Sequence, residues 1–309
     1  MLTGIHQPLN CKRMKKPQKN QPQVIEELRP GQSIELLKEL HILTREGRLN
    51  QDTRRKLKQV YHLYQFIEPL LNDVLNCHGA FTLADHGAGK SYLGFILYDL
   101  FFNVARSGQA TEGHIYGIET RAELVEKSRA LASRLGFERM SFLNLSVKDA
   151  TTSTALPSRI DIVTALHACD TATDDAIAFG LAKQAHHMVL VPCCQAEVAG
   201  VLKASRALNL SKNPLAELWR HPLHTREFGS QITNVLRCLQ LEAAGYNVTV
   251  TELVGWEHSM KNELILASQP ATPKVAKTKE AQARLQQVLN ELGLAELKQR
   301  FAIPVPRLL

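Results

Sequence analysis

Residues 83–95 read LADHGAGKSYLGF, and the fold turns on how that stretch is taken. From Ala84 to Ser91 it satisfies a loose phosphate-loop pattern: Ala or Gly, four residues, then Gly-Lys-Ser. In that reading the backbone wraps phosphates, Lys90 reaches the outer ones and Ser91 meets magnesium. Such a loop also needs a later strand ending in Asp to help hold the metal. The later apolar runs end VTALHA and VLVPCC, and Asp170 comes four residues past Leu166, beyond a strand end. Ala84 also stands where the first Gly is usual. A nucleoside triphosphatase is therefore the weaker reading.

The other reading takes Asp85-His86-Gly87-Ala88-Gly89 as a strand end opening onto a nucleoside cofactor. Glycines let the backbone come close, and the following helix presents its N-terminus. An acid closing the next strand accepts hydrogen bonds from ribose hydroxyls. Glu119, the last residue of GHIYGIE, is that acid. It lies 30 residues past Gly89, the extra length being taken up by a long helix through Phe101 and Phe102. This pairing favours S-adenosylmethionine (SAM). Asp85, Gly87, Gly89 and Glu119 are expected to hold it, with Asp85 suited to its ammonium or to an ordered water. Ser146 and Val147 fall where adenine lies in such folds, and Leu166 closes the fourth strand beside them.

Outward from the loop, apolar runs alternate with amphipathic stretches. AFTLAD, GHIYGIE, MSFLNLS, IDIVTALHA and HMVLVPCC read as strands, with NVTVTELVG and NELILAS as a terminal pair. Strands alternating with helices predict an α/β fold with a largely parallel sheet flanked by helices, in the order of a class I methyltransferase. Residues 79–268 form that core. Residues 1–32 are rich in Lys, Gln, Pro and Asn and are expected to be disordered. Residues 33–78 form a helical N-terminal extension. Ser33 is placed to cap its first helix, and its second is predicted over about Gln51–Asn76, kinked or split by Pro69. Residues 196–245 are helical and lid-like, and 269–309 hold a linker and a C-terminal helix that packs on the body or a partner.

The charge is concentrated. Of a formal +7, residues 1–60 contribute 13 Lys/Arg against 6 Asp/Glu, while the remainder balances at 24 of each. Such a block points to a polyanion, RNA above all, or to a solvated basic tail. No apolar run approaches the roughly 18–20 residues needed to span a membrane, and no secretory h-region follows the start. A cytoplasmic address and no membrane partner are expected. Six cysteines in 309 residues make no disulfide framework.

DHGAGKSYLGFIL, GIETRAELVEKS, LHACDTATDDAI, VPCCQAE, HTREFGSQITNVLRCLQLEAAGY and WEHSMKNELILA resemble one branch of class I methyltransferases. That branch includes the eukaryotic tRNA acceptor-stem 2′-O-methyltransferases and the methyltransferase-like domain found beside a glutathione-transferase-like one. The resemblance spans about Asn50 to Ser268. Its most specific pieces are His-Ala-Cys-Asp at 167–170 and Pro-Cys-Cys at 192–194. It implies methyl transfer, and an RNA acceptor such as tRNA or rRNA. His86 departs from the Cys or Phe frequent in the branch, and Glu-His-Ser-Met-Lys-Asn at 257–262 from its Glu-His-Thr-Pro-Lys-Asn.

The ends of the fourth and fifth strands bring His167, Cys169 and Asp170 near Cys193, Cys194 and Gln195. Three readings compete. These groups shape an acceptor pocket in which His167 or Asp170 takes a proton. Alternatively Cys193 or Cys194 attacks a base with Cys169 as second thiol, a reading weakened by the missing Pro-Cys after the fourth strand. Or His167, Cys169, Cys193 and Cys194 hold zinc, for which the ligand types suit but the spacing is undiagnostic. No metal is expected. A protein or small-molecule acceptor, or a SAM-fold protein without catalysis, remains the alternative.

Overall fold

The structure, a computed structural model, describes residues 27–166, 170–192, 195–204, 214–253, 263–272 and 274–303. A seven-stranded sheet runs in the order β3-β2-β1-β4-β5-β7-β6. The strands are β1 Ala80–His86, β2 Glu112–Glu119, β3 Met140–Asn144, β4 Ile162–Leu166, β5 His187–Val191, β6 Asn247–Glu252 and β7 Glu263–Ser268. Strands β1 to β5 pair in parallel, and β7 slots antiparallel between β5 and β6. The order switches between β1 and β4. Ligands of such sheets bind beyond the carboxyl ends of the strands at that crevice.

The helices are α1 Ile34–Glu39, α2 Gln51–His78, α3 Tyr92–Tyr98, α4 Ala122–Leu135, α5 Val147–Thr152, α6 Thr171–Ala182, α7 Glu197–Ala204, α8 Pro222–Ala243 and α9 Val275–Glu291. Ser33 caps α1, its side chain accepting from the Leu36 N–H. Asn50 and Thr53 form a reciprocal capping box at the start of α2, and Gly79 ends that helix in the left-handed conformation. Pro69 does not split α2: 28 residues run through it as one helix. The carbonyl it leaves without a partner belongs to Gln65, on the exposed side of the helix, where water can serve it. Past Tyr98 the chain widens into a π-helical stretch, Asp99–Ala105. Asp99, fully buried there, accepts from the Ser33 N–H at 3.1 and 3.2 Å and from Asn103 at 3.0 Å, tying α1 to the body.

Alternation along β1 sorts the core into two layers. Phe81 and Leu83 face α1–α4, packing with Leu63, Tyr64, Ile67, Phe95 and Phe101. Ala84 faces the other way, with Ala150, Ala176, Ile177, Phe179 and Leu241 of α5, α6 and α8. A third cluster joins α7, α8 and α9 around Trp219 and Leu285, so the C-terminal helix packs on the body. Among the described residues no helix is long and apolar enough to cross a membrane.

Candidate cofactor and acceptor site

The loop after β1 takes its shape from glycine. Gly87 and Gly89 sit at φ 65° and 58°, the left-handed region that side chains disfavour. Ser91 is left-handed too (φ 51°) and buried, and its Oγ lies 2.7 Å from where a Cβ on Gly117 of β2 would stand. Its hydroxyl is thus turned onto β2, not presented to a metal, while Lys90 is exposed. The phosphate-loop reading loses its magnesium ligand. Two bonds close the loop over the end of β2: Ala88 N–H to the Ile118 carbonyl at 3.0 Å, and Gly89 N–H to Glu119 Oε2 at 2.7 Å.

Glu119 closes β2 as expected and is buried. Arg121 grips it from the chain's next turn. Arg121 Nε donates to Oε1 at 3.0 Å, Nη2 to Oε2 at 3.1 Å and the Arg121 N–H to Oε1 at 3.1 Å. Burial pushes the carboxyl upward, but the Arg121 guanidinium and the two backbone donors outweigh it and bring the pKa down to about 2. The carboxylate is therefore ionised and aimed. Arg121 itself is 59% exposed along its side chain, so it can swing aside.

Asp85 lies on the α3 side of β1, accepting from Thr164 Oγ1 at 2.9 Å and from the Gly94 N–H. It joins β1, β4 and α3 beneath the loop. Burial pushes its pKa up to about 7 against those two hydrogen bonds. His86 points to the opposite face, its ring 5.7 Å from Phe179. Both ring nitrogens are buried without a partner among the described residues, and burial holds the ring neutral, its pKa lowered to about 4. A buried imidazole left so costs about 1–3 kcal/mol unless a ligand meets it. Ser146 caps α5, accepting from the Asp149 N–H, and half-buried Val147 begins that helix against the Ala84–Ile118 layer. Leu166 ends β4 opposite Val191.

His167, Cys169, Cys193 and Cys194 lie outside the described residues, as do Trp256 and His258. Asp170 has φ 51° and ψ −123°, a conformation costly for a side-chain-bearing residue. Its Oδ1 accepts from the Ala196 and Glu197 N–H groups at 2.9 and 3.2 Å, capping α7. Asp174 pairs with Arg237 through both oxygens, at 2.8 and 2.7 Å. Arg237 also donates to the Asp170 carbonyl at 2.8 Å and to Asn234 Oδ1 at 3.1 Å. Gln195 donates to the same Asn234 oxygen and accepts from Ser230, and Asn234 donates to Glu263 of β7. The network ties Asp170 and Gln195 to α8. Trp219, a conceivable base-stacking residue, is instead fully buried and stacked on Phe228 at 5.0 Å. Arg226 and Glu227 pair with each other on the surface.

Sequence reasoning missed Arg121, Thr164 and the Arg237 network. Arg121 had a signal, a base two residues past the strand-end acid. Arg237 had one too, a charge inside the apolar face of NVLRCLQL.

The residues present fit SAM. An ionised carboxylate stands at the end of β2, and two left-handed glycines keep the loop open beside it. A family model described as a methyltransferase domain matches residues 55–201. No curated protein matches the chain. Among solved structures it is similar to an rRNA methylase from Streptococcus thermophilus (9% identity, TM-score 0.39, covering 68% of this chain and 93% of that one). It is similar also to an O-methyltransferase from Bacillus cereus (12%, 0.43, 76% and 89%). A third is the magnesium protoporphyrin IX methyltransferase from Synechocystis (11%, 0.41, 76% and 93%). Strand order, glycine loop, strand-end Glu119 and the match over 55–201 together make this a SAM-dependent methyltransferase.

Proposed function

We propose that the chain methylates RNA, of the tRNA or rRNA class. The observation that carries the donor half is Glu119, ionised and bonded across the glycine loop to Gly89. The acceptor half rests on the basic block of residues 1–60 and on the resemblance of the strand-end motifs. Within that block Arg55, Lys56 and Lys58 stand exposed on the first turns of α2, a face suited to a phosphate backbone.

When bound, SAM supplies a methyl activated on a sulfonium, so in-line alignment is the main demand on the protein. Glu119 and the Gly87–Gly89 backbone hold the nucleoside end, Val147 and Leu166 border it with apolar surface, and Asp85 braces the loop from below. On the acceptor side Arg237 keeps the Asp170 and Gln195 loops in place. Proton removal from an acceptor hydroxyl falls to His167, next after β4, or to Asp170, whose Oδ1 caps α7.

The test is methyl transfer from labelled SAM into total RNA, set against total protein and small-molecule extract. Label should enter RNA, fall as salt rises and fall again when residues 1–32 are deleted; Glu119→Ala should weaken SAM binding at least tenfold. Label in protein or small molecules alone, or transfer indifferent to salt, overturns the RNA reading.

A further inference from the structure

At the opposite edge of the sheet from the cofactor crevice, three potential ligands converge. Asp73 comes from α2, His187 begins β5 and His186 precedes it. One ligand atom from each lies within 4.8 Å of the others. Asp73 Oδ2 is 3.2 Å from His187 Nε2 and 3.9 Å from His186 Nε2. The first distance is a hydrogen bond; the second is beyond one. His186 is therefore drawn to the same point without making a bond there, and its Nδ1 is buried with no partner among the described residues. The two rings meet edge to face, 4.6 Å apart.

His187 is oriented from behind. Its Nδ1 lies 2.7 Å from Ser268 Oγ, its register partner at the end of β7. A ligating histidine held by a second hydrogen bond on its far nitrogen is the usual arrangement at metal sites. Further out, His78 Nδ1 lies 3.6 Å from Asp161 Oδ1. Asp161 Oδ2 is already occupied by the Thr82 N–H and hydroxyl, at 2.8 and 2.7 Å.

We propose that Asp73, His186 and His187 bind a transition-metal ion that clamps α2 to the amino-terminal edge of the sheet. Two imidazole nitrogens and one carboxylate oxygen suit zinc and its neighbours, not magnesium or calcium, which take oxygen shells. Bonds of about 2.0–2.1 Å place tetrahedral ligands about 3.3 Å apart, so the carboxylate–His187 spacing is already there, and His186 must draw in from 3.9 Å of the carboxylate and from within 4.8 Å of His187. Asp73 is 53% exposed and His186 27% exposed along their side chains, which allows that movement and leaves the fourth position to solvent.

The test uses the full chain, stripped with a chelator and titrated with zinc chloride. One equivalent should bind at micromolar or lower concentration and raise the unfolding temperature, while magnesium does neither. Asp73→Asn with His186→Ala should lower zinc affinity at least tenfold and abolish the thermal shift, leaving SAM titration unchanged. Should the double variant not fold, Asp73→Asn alone, at a half-exposed position, gives the same reading. Cobalt in place of zinc should show visible bands without thiolate charge transfer. Zinc bound equally by wild type and variant, a thiolate band at one equivalent, or no zinc binding at all overturns the proposal.

Discussion

Two carboxylate–arginine pairs flank the crevice, and they are built for opposite purposes. Glu119 is held by Arg121, two residues on and 59% exposed along its side chain. Asp174 is held by Arg237, 63 residues on and fully buried. The first pair sits in solvent reach, where a guanidinium contributes little and moves easily. The second is a strut: a fully buried arginine holding Asp174, Asn234 and the Asp170 carbonyl at once. The donor side is thus adjustable and the acceptor side rigid. That division fits a site whose cofactor must enter and leave while its reacting loops stay aligned.

The largest effect belongs to the strut. Arg237→Met removes the charge and strands Asp174, and should cost about 3–5 kcal/mol in denaturant unfolding. The double variant Arg237→Met with Asp174→Leu should recover most of that, because replacing a buried pair by apolar side chains is often neutral. A single variant costing less than about 1 kcal/mol, in the range of an exposed pair, would show that the two arginines do not differ in kind.

Asp85 sharpens the comparison, being a buried carboxylate with no arginine at all. Its folded pKa of about 7 lies above the ordinary carboxyl value. The folded state therefore binds a proton that the unfolded state releases between about pH 4 and 7. Over that window stability falls as pH rises, and above pH 7 the loss is complete. Asp85→Asn keeps an acceptor for Thr164 and abolishes that slope. The variant should gain on wild type by on the order of 2–4 kcal/mol between pH 4 and pH 8. Parallel curves would mean that a cation faces Asp85 in the folded protein.

The same contrast explains what the sequence made legible. The strands, the glycine loop and Glu119 follow from local pattern: apolar runs, Gly-x-Gly, an acid at a strand end. Ser33 as a cap was equally local. What escaped depends on side chains meeting across the fold. Asp174 finds its partner on α8, 63 residues along the chain. Asp170 looked like a free base because the N–H groups it caps belong to α7, 26 and 27 residues away. His187 and Asp73 are 114 residues apart, so no spacing rule joins them. Whether Pro69 splits α2 was hidden for the converse reason: its penalty depends on which face the orphaned carbonyl occupies, and that is fixed by burial.

The smallest effect on stability is expected at Arg121, and there the comparison meets function. Arg121→Ala removes an exposed partner and should cost less than about 1 kcal/mol. It also removes two of the donors now occupying Glu119, leaving the Gly89 N–H, the residue-121 N–H and the Thr120 hydroxyl in place. Those remaining donors keep favouring the charged form of Glu119 without Arg121. Its oxygens then meet ribose hydroxyls with no guanidinium to displace. Calorimetric titration should therefore show SAM binding a few-fold tighter in the variant, against at least tenfold weaker in Glu119→Ala. Tenfold weakening in Arg121→Ala as well would make the arginine a cofactor ligand in its own right, and the donor side would be as fixed as the acceptor side.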